Sequence, residues 1–249
     1  MIEAIRFPGD VTAEARGRVA VLPAGSVEYH GPHGYLGVDS LIAERVARAV
    51  AEALDAILLP RVDYTWCAAM NRPYPGTVSV PQAVMQEYFA AILEGVLAWR
   101  VRGVLCLCGH DGNMAPFTVA ADRVGAGHPG QFVVAVNWWE TWPEHESGQR
   151  FGFSELGGHG HGGPLEMSAA AAASPGSVRP ERAADVSLAG EGASPLRVLH
   201  HAGRRPRWDG YHGKPSETDP GAGEALLAEA AARIAAEVRA YMAGLDAGE

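Results

Sequence analysis

Two carboxylates and two imidazoles fall within twelve residues in the stretch Glu28-Tyr29-His30-Gly31-Pro32-His33, followed by Asp39. Acids crowded this closely repel one another, and a divalent cation that takes carboxylate and imidazole ligands offsets the repulsion. The stretch therefore reads as half of a metal site. A second histidine loop, Gly109-His110-Asp111-Gly112-Asn113, and a carboxylate at Glu166 offer the other half. Five ligands from separated segments (Glu28, His30, Asp39, His110 and Glu166) suit two divalent ions about 3.5 to 4 Å apart with one acid bridging, a geometry used in metal-assisted hydrolysis. Nitrogen and oxygen donors without a thiolate point to zinc, manganese or iron rather than calcium. His33 reads as packing beneath the loop.

The elements that must position these groups follow from apolar patterning. An apolar run at 19–23 predicts a buried strand opening into the first loop, and Asp39 or Ser40 is placed to cap a helix over 41–54. A strand is expected at 56–60, then a long irregular stretch, 61–79, of the kind that usually borders a site. Trp66 and Tyr74 fall in it and are expected at the pocket rim. A helix from Pro81 to about 99, a strand at 103–108 running into the His110 loop, a short helix over 115–124 and a strand at 132–137 follow. Pro164 is a favoured first residue for a helix carrying Glu166 to about 173. A further strand is expected at 197–200 and an amphipathic helix at 224–245. Strands alternating with helices imply a mostly parallel sheet covered on both faces, with no linker dividing residues 1–249. In such sheets ligands collect outside the carboxyl ends of the strands, where the loops of Glu28 and His110 both fall.

Composition excludes several function classes. With 47% hydrophobic and 20% charged residues over 249 positions, the chain has ample material for a core. A net charge of -9 argues against nucleic acid or an anionic membrane as partner. No uninterrupted apolar stretch suits a membrane span, the start lacks a secretory pattern, and three cysteines make no disulfide framework, so a cytoplasmic setting is expected. Cys106 and Cys108 alternate with Leu105 and Leu107 and are expected to face one packed layer. Trp138, Trp139 and Trp142 follow a strand end and are expected in the pocket wall, an oligomer contact or the core.

The motifs resemble a known family. Leu22-Pro23-Ala24-Gly25-Ser26-Val27-Glu28-Tyr29-His30-Gly31-Pro32-His33 with Asp39 is similar to the signature of the creatininase (creatinine amidohydrolase) family; Gly109 to Asn113 resembles its second motif and His161-Gly162-Gly163-Pro164-Leu165-Glu166-Met167-Ser168 its third. Pro75-Gly76-Thr77 and Gly213-Lys214-Pro215 also look like family landmarks. The resemblance implies a three-layer α/β/α sandwich, a binuclear metal centre, hydrolysis of cyclic or linear amides, and a homohexamer. It further implies that Glu28 and His110 hold one ion, His30 the other, and Asp39 both. Creatinine-specific members carry a Glu where this chain has Gly112, which leaves Glu166 to complete the site. They also carry Trp-Asp where this chain has Gly157-Gly158, so a small-molecule substrate other than creatinine is expected.

Two ions of this kind would acidify a shared water and polarise a carbonyl, and a proton carrier must then serve the leaving nitrogen. His161 is the candidate, because an imidazole takes and gives protons near neutrality. His159, two residues away, could exchange roles with it or, with Trp66 and Asp111, bind substrate. Alternative readings are a metal-dependent peptidase, a hydrolase or lyase on a cyclic ketone, and an inactive metal-retaining scaffold.

Overall fold

The computed structural model describes residues 1–4, 8–187 and 208–248. The strand expected at 197–200 lies outside them. Among the described residues five parallel strands form the sheet: β1 (Ile2–Glu3), β2 (Val19–Ala24), β3 (Ile57–Leu58), β4 (Gly103–Cys108) and β5 (Phe132–Asn137), in the order β1-β3-β2-β4-β5. β2 and β4 pair over their full lengths, from Val19 beside Gly103 to Ala24 beside Cys108. Their carboxyl ends therefore sit side by side at the sheet centre. The connecting helices are α1 (Pro8–Ala15), α2 (Val38–Leu54), α3 (Gln82–Leu97), α4 (Met114–Gly125), α5 (Glu144–Phe151), α6 (Pro164–Ala173) and α7 (Pro220–Ala247).

Alternation along the strands sorts the core into two layers. Val19, Val21, Leu105 and Leu107 pack with α2, α6 and α7, while Ala20, Leu22, Val104, Cys106 and Cys108 pack with α3 and α4. The result is an α/β/α sandwich, and both strand cysteines face the α3 and α4 layer as their spacing predicts. Among the described residues no helix is long and apolar enough to cross a membrane.

Two boundaries differ from the sequence reading, and two helices were not expected from it. The strand expected at 56–60 pairs only over Ile57–Leu58. α2 begins at Val38, so Asp39 and Ser40 lie inside its first turn, and Gly37 stands at the cap without a side-chain bond. Asp39 is not a cap because its carboxylate is turned to other partners. α1 and α5 carry few apolar residues and give no clear sequence signal; the sequence PGDVTAEA of the first and EHESGQRF of the second show why.

Candidate metal centre

Each group reaches the centre from a different element. Glu28 and His30 lie on the loop leaving β2, Asp39 in the first turn of α2, His110 directly after β4, His161 in the glycine loop before α6, and Glu166 in the first turn of α6. Two glycines let these elements converge. A Cβ on Gly25 would lie 2.3 Å from the Ser40 backbone nitrogen, and one on Gly109 would lie 2.1 Å from the Asp39 carbonyl oxygen, so the ends of β2 and β4 can press against the first turn of α2 only as glycine.

The distances bring the predicted ligands together. His30 Nε2 lies 2.9 Å from Asp39 Oδ1 and 3.7 Å from Glu166 Oε1; His110 Nδ1 lies 3.2 Å from Glu28 Oε2 and 3.3 Å from Asp39 Oδ2. Asp39 thus touches both imidazoles, one with each oxygen. His161 Nδ1 is 3.8 Å from Glu28 Oε2, and its ring stacks on that of His30 with centroids 4.1 Å apart. Glu28, His30 and Asp39 are buried.

All three imidazoles are held by the same device. His30 Nδ1 lies 2.9 Å from the Glu28 carbonyl oxygen, His110 Nε2 2.9 Å from that of Trp66, and His161 Nε2 2.7 Å from that of Tyr29. A carbonyl can only accept, so these ring nitrogens carry a proton, and the opposite nitrogens, which face the carboxylates, are left to hold either a second proton or a metal ion. Such pinning of one nitrogen is the usual support of a metal-binding histidine. A ring nitrogen without that second proton cannot hydrogen-bond to a carboxylate oxygen. Glu28 Oε2 and His30 Nε2 are accordingly buried without a hydrogen-bond partner. A cation between them satisfies what the protein leaves unpaired, so the donor set fits divalent metal.

The electrostatics agree. Burial pushes the Glu28 carboxyl up, but the charged His110 ring 3.2 Å away, with His161, outweighs it and holds it below the usual range; His30 and His110 likewise overcome burial at Asp39 and hold it far below. Burial would lower His30 and His110, yet Asp39 with Glu166 around the first and Asp39 with Glu28 around the second drive both well above the ordinary imidazole range. His161 moves the other way, lowered by burial and then by His30. Three buried or half-buried acids in one spot demand positive charge, and the bare chain supplies it by protonating two imidazoles.

The remaining predicted residues sort clearly. Trp66, Asp111, His159 and Tyr74 line a cleft of about 1540 Å³ that is also lined by Glu28, Asp39, His110, His161 and Glu166. Asp111 accepts a bond from Asn137 at 3.2 Å and is not among the converging carboxylates. His33 stays beneath the loop, its Nε2 2.9 Å from the Gly162 carbonyl oxygen and its ring edge-on to Tyr211. Trp138 and Trp139 line the cleft, whereas Trp142 is a core residue bonded to the Leu226 carbonyl. Four contributors were not expected from sequence. Ser26 donates to Asp39 Oδ2 at 2.6 Å, Asn71 donates to Glu28 Oε1 at 2.7 Å, Trp208 walls the cleft, and Cys67 Sγ lies within 4.8 Å of a Glu28 carboxylate oxygen and a His110 ring nitrogen. Ser26 sits inside the first motif and could have been found there; Asn71, Trp208 and Cys67 lie in irregular segments with no periodicity to mark them.

Gly112 is also explained. A Cβ there would sit 2.4 Å from His110 Nε2 and 2.7 Å from the Trp66 carbonyl oxygen, across the bond that pins His110. The family model for creatininase, described as creatinine amidohydrolase, matches residues 9–238. The chain belongs to the creatininase family. A solved creatinine amidohydrolase superposes with a TM-score of 0.82 at 25% identity, covering 95% of this chain and 96% of its own. A mycofactocin precursor peptide peptidase from Mycolicibacterium smegmatis is 32% identical over 108 residues, 41% of this chain and 43% of the relative. A creatinine amidohydrolase from Pseudomonas putida is 29% identical over 118 residues, 43% of this chain and 45% of the relative. The chain thus spans less than half the length of these curated relatives, and the family is carried by the model match and the fold.

Proposed function

We propose that this creatininase-family hydrolase uses two divalent ions to cleave an amide-type C–N bond. Glu28 and His110 would hold one ion, His30 and Glu166 the other, and Asp39 both. The observation that carries this reading is the convergence of the His30, His110 and His161 rings on the carboxylates of Glu28, Asp39 and Glu166 beyond the ends of β2 and β4, with the opposite nitrogen of each ring tied to a backbone carbonyl. Bound there, the ions supply Lewis acidity, which polarises the scissile carbonyl and makes water acidic enough to attack near neutrality. The protein's own part is orientation and proton movement. His161 is kept neutral by burial and by its neighbour His30, and its Nδ1 lone pair faces the centre, so it can take a proton there and return it to the leaving nitrogen. Glu166 Oε2 accepts from the Gly162 amide at 2.7 Å, which leaves Oε1 for the centre.

The chain has Gly157-Gly158 where creatinine-specific members resemble one another in a Trp-Asp pair, which favours a substrate other than creatinine. A Cβ on Gly157 would lie 2.0 Å from the Glu144 carbonyl oxygen, and Gly157 and Gly158 have φ of 59° and 81°, so the backbone here follows a path that a Trp-Asp pair cannot take. A second reading, cleavage of a peptide amide, is favoured by size: about 1540 Å³ exceeds the roughly 300–1,000 Å³ of ordinary small-molecule sites. Metal-loaded protein offered creatinine, hydantoin-like rings, formamides and short peptides, with amine release measured by mass spectrometry, tests both. Release from a ring or formamide supports the first reading and release from peptides alone the second. No release from any would remove both.

A further inference from the structure

Cys67 is fully buried in the segment between β3 and α3. Its backbone is clamped by Ser79, which accepts from the Cys67 amide at 2.9 Å and donates to its carbonyl at 3.2 Å. The sulfur is therefore placed by main-chain bonds rather than left to a loose loop. Sγ, a carboxylate oxygen of Glu28 and a ring nitrogen of His110 all lie within 4.8 Å of one another. Sγ contacts the Val78 carbonyl oxygen at 3.8 Å and the Ser26 hydroxyl, and Glu28 Oε2 is buried with no hydrogen bond at all. Cys106 and Cys108 stand in the α3 and α4 layer, where their neighbours are apolar.

A tetrahedral zinc-type ion places sulfur at about 2.3 Å and nitrogen or oxygen at about 2.0–2.2 Å, which sets neighbouring ligand atoms roughly 3.3–3.7 Å apart. The three atoms, all within 4.8 Å of one another, stand within about 1.5 Å of that spacing. We propose that Cys67 is a thiolate ligand of the ion held by Glu28 and His110, so that one half of the centre is sulfur-bearing while the half made by His30, Asp39 and Glu166 has only nitrogen and oxygen. This rests on the dinuclear reading above. On binding, the Cys67 S–H bond breaks, its proton leaves to solvent, and the sulfur lone pair forms the bond to the divalent ion, with no change of oxidation state. Unequal donors give the halves unequal preferences. The sulfur-bearing half favours zinc or cobalt, and the other accepts manganese.

The test uses the whole protein, stripped with a chelator and reloaded with Co²⁺ alone. The visible ligand-field bands report bound cobalt and a near-ultraviolet sulfur-to-cobalt band reports the thiolate. Wild-type protein is expected to show both, Cys67→Ala and Cys67→Ser to keep the ligand-field bands and lose the sulfur band, and Cys106→Ala to keep both. Cys67→Ser preserves size, so a fold defect in Cys67→Ala leaves the test standing. Zinc affinity of Cys67→Ser should fall by on the order of 10- to 100-fold, at least the loss that removing a supporting residue causes. Ligand-field bands without a sulfur band in wild-type protein, or a sulfur band that survives in Cys67→Ser, would overturn the proposal and leave the dinuclear reading intact. No cobalt retained by wild-type protein would overturn both.

Discussion

Asp39 carries the most at the residue scale, because its two oxygens face His30 and His110 while Ser26 donates to one of them. Asp39→Asn keeps the shape and removes the charge; elemental analysis is expected to find at least one ion lost per chain, with turnover falling alongside. His161→Ala is expected to keep both ions and lower kcat by about 10²–10⁴, the range for loss of a general acid-base. An ion lost in that variant would make His161 a ligand instead. Protonation gives a further check. His30 and His110 are raised well above 6.5 in the bare chain, so near neutrality they are charged and metal must expel their protons. Zinc added to chelator-treated protein in weak buffer should acidify the solution, and affinity should rise with pH across 6 to 8; a flat profile would contradict the assignment. The sign for stability follows. The raised imidazoles stabilise the metal-free fold fully below their unfolded pKa near 6.5, and that stability is lost as pH rises through the folded values. The depressed carboxyls do the reverse, losing theirs as pH falls below the ordinary range. Chelated protein should therefore melt at lower temperature on the alkaline side than at neutrality.

Among the elements, the contact of β2 and β4 with the start of α2 decides where the ligands meet. Gly109→Ala would drive a methyl group into the Asp39 carbonyl, and overpacking of this kind costs about 1–3 kcal/mol. Denaturant unfolding should show that loss, and metal affinity should fall with it because His110 is displaced from Asp39. Gly112→Ala acts more locally, on the bond between His110 and Trp66, and is expected to weaken metal binding by roughly 10- to 100-fold with little change in stability. The elements that matter here were legible in sequence because their apolar runs end in unusual polar residues: β2 into Glu28 and His30, β4 into His110, and Pro164 opening the helix of Glu166. Those that escaped lack such marks. α5 has a single large apolar residue, Phe151, β3 pairs over two residues only, and the register that sets Asp39 inside α2 depends on a glycine contact that no spacing rule reveals. Cys67 and Asn71 escaped for a related reason, since an irregular segment has no period from which to read direction.

At the scale of the whole molecule, a sheet covered on both faces holds the frame while the strand ends and glycine loops carry the chemistry. The two are separable. Leu226, fully buried in the layer of α2, α6 and α7, lies away from the cleft lining, so Leu226→Ala should cost about 2–5 kcal/mol in unfolding while ion content stays unchanged. The three-layer order was readable from strands alternating with helices, and the family resemblance pointed to the same architecture. The cleft's breadth was not readable, because it is built by Trp66, Asn71, Trp138, Trp139 and Trp208 from segments that meet only in the folded chain. The most direct test of the account is the metal content of the whole protein after chelation, reloading with zinc and removal of free ion. Close to two ions per chain in the wild type, falling in Asp39→Asn, is the expected result; protein that retains none would contradict it.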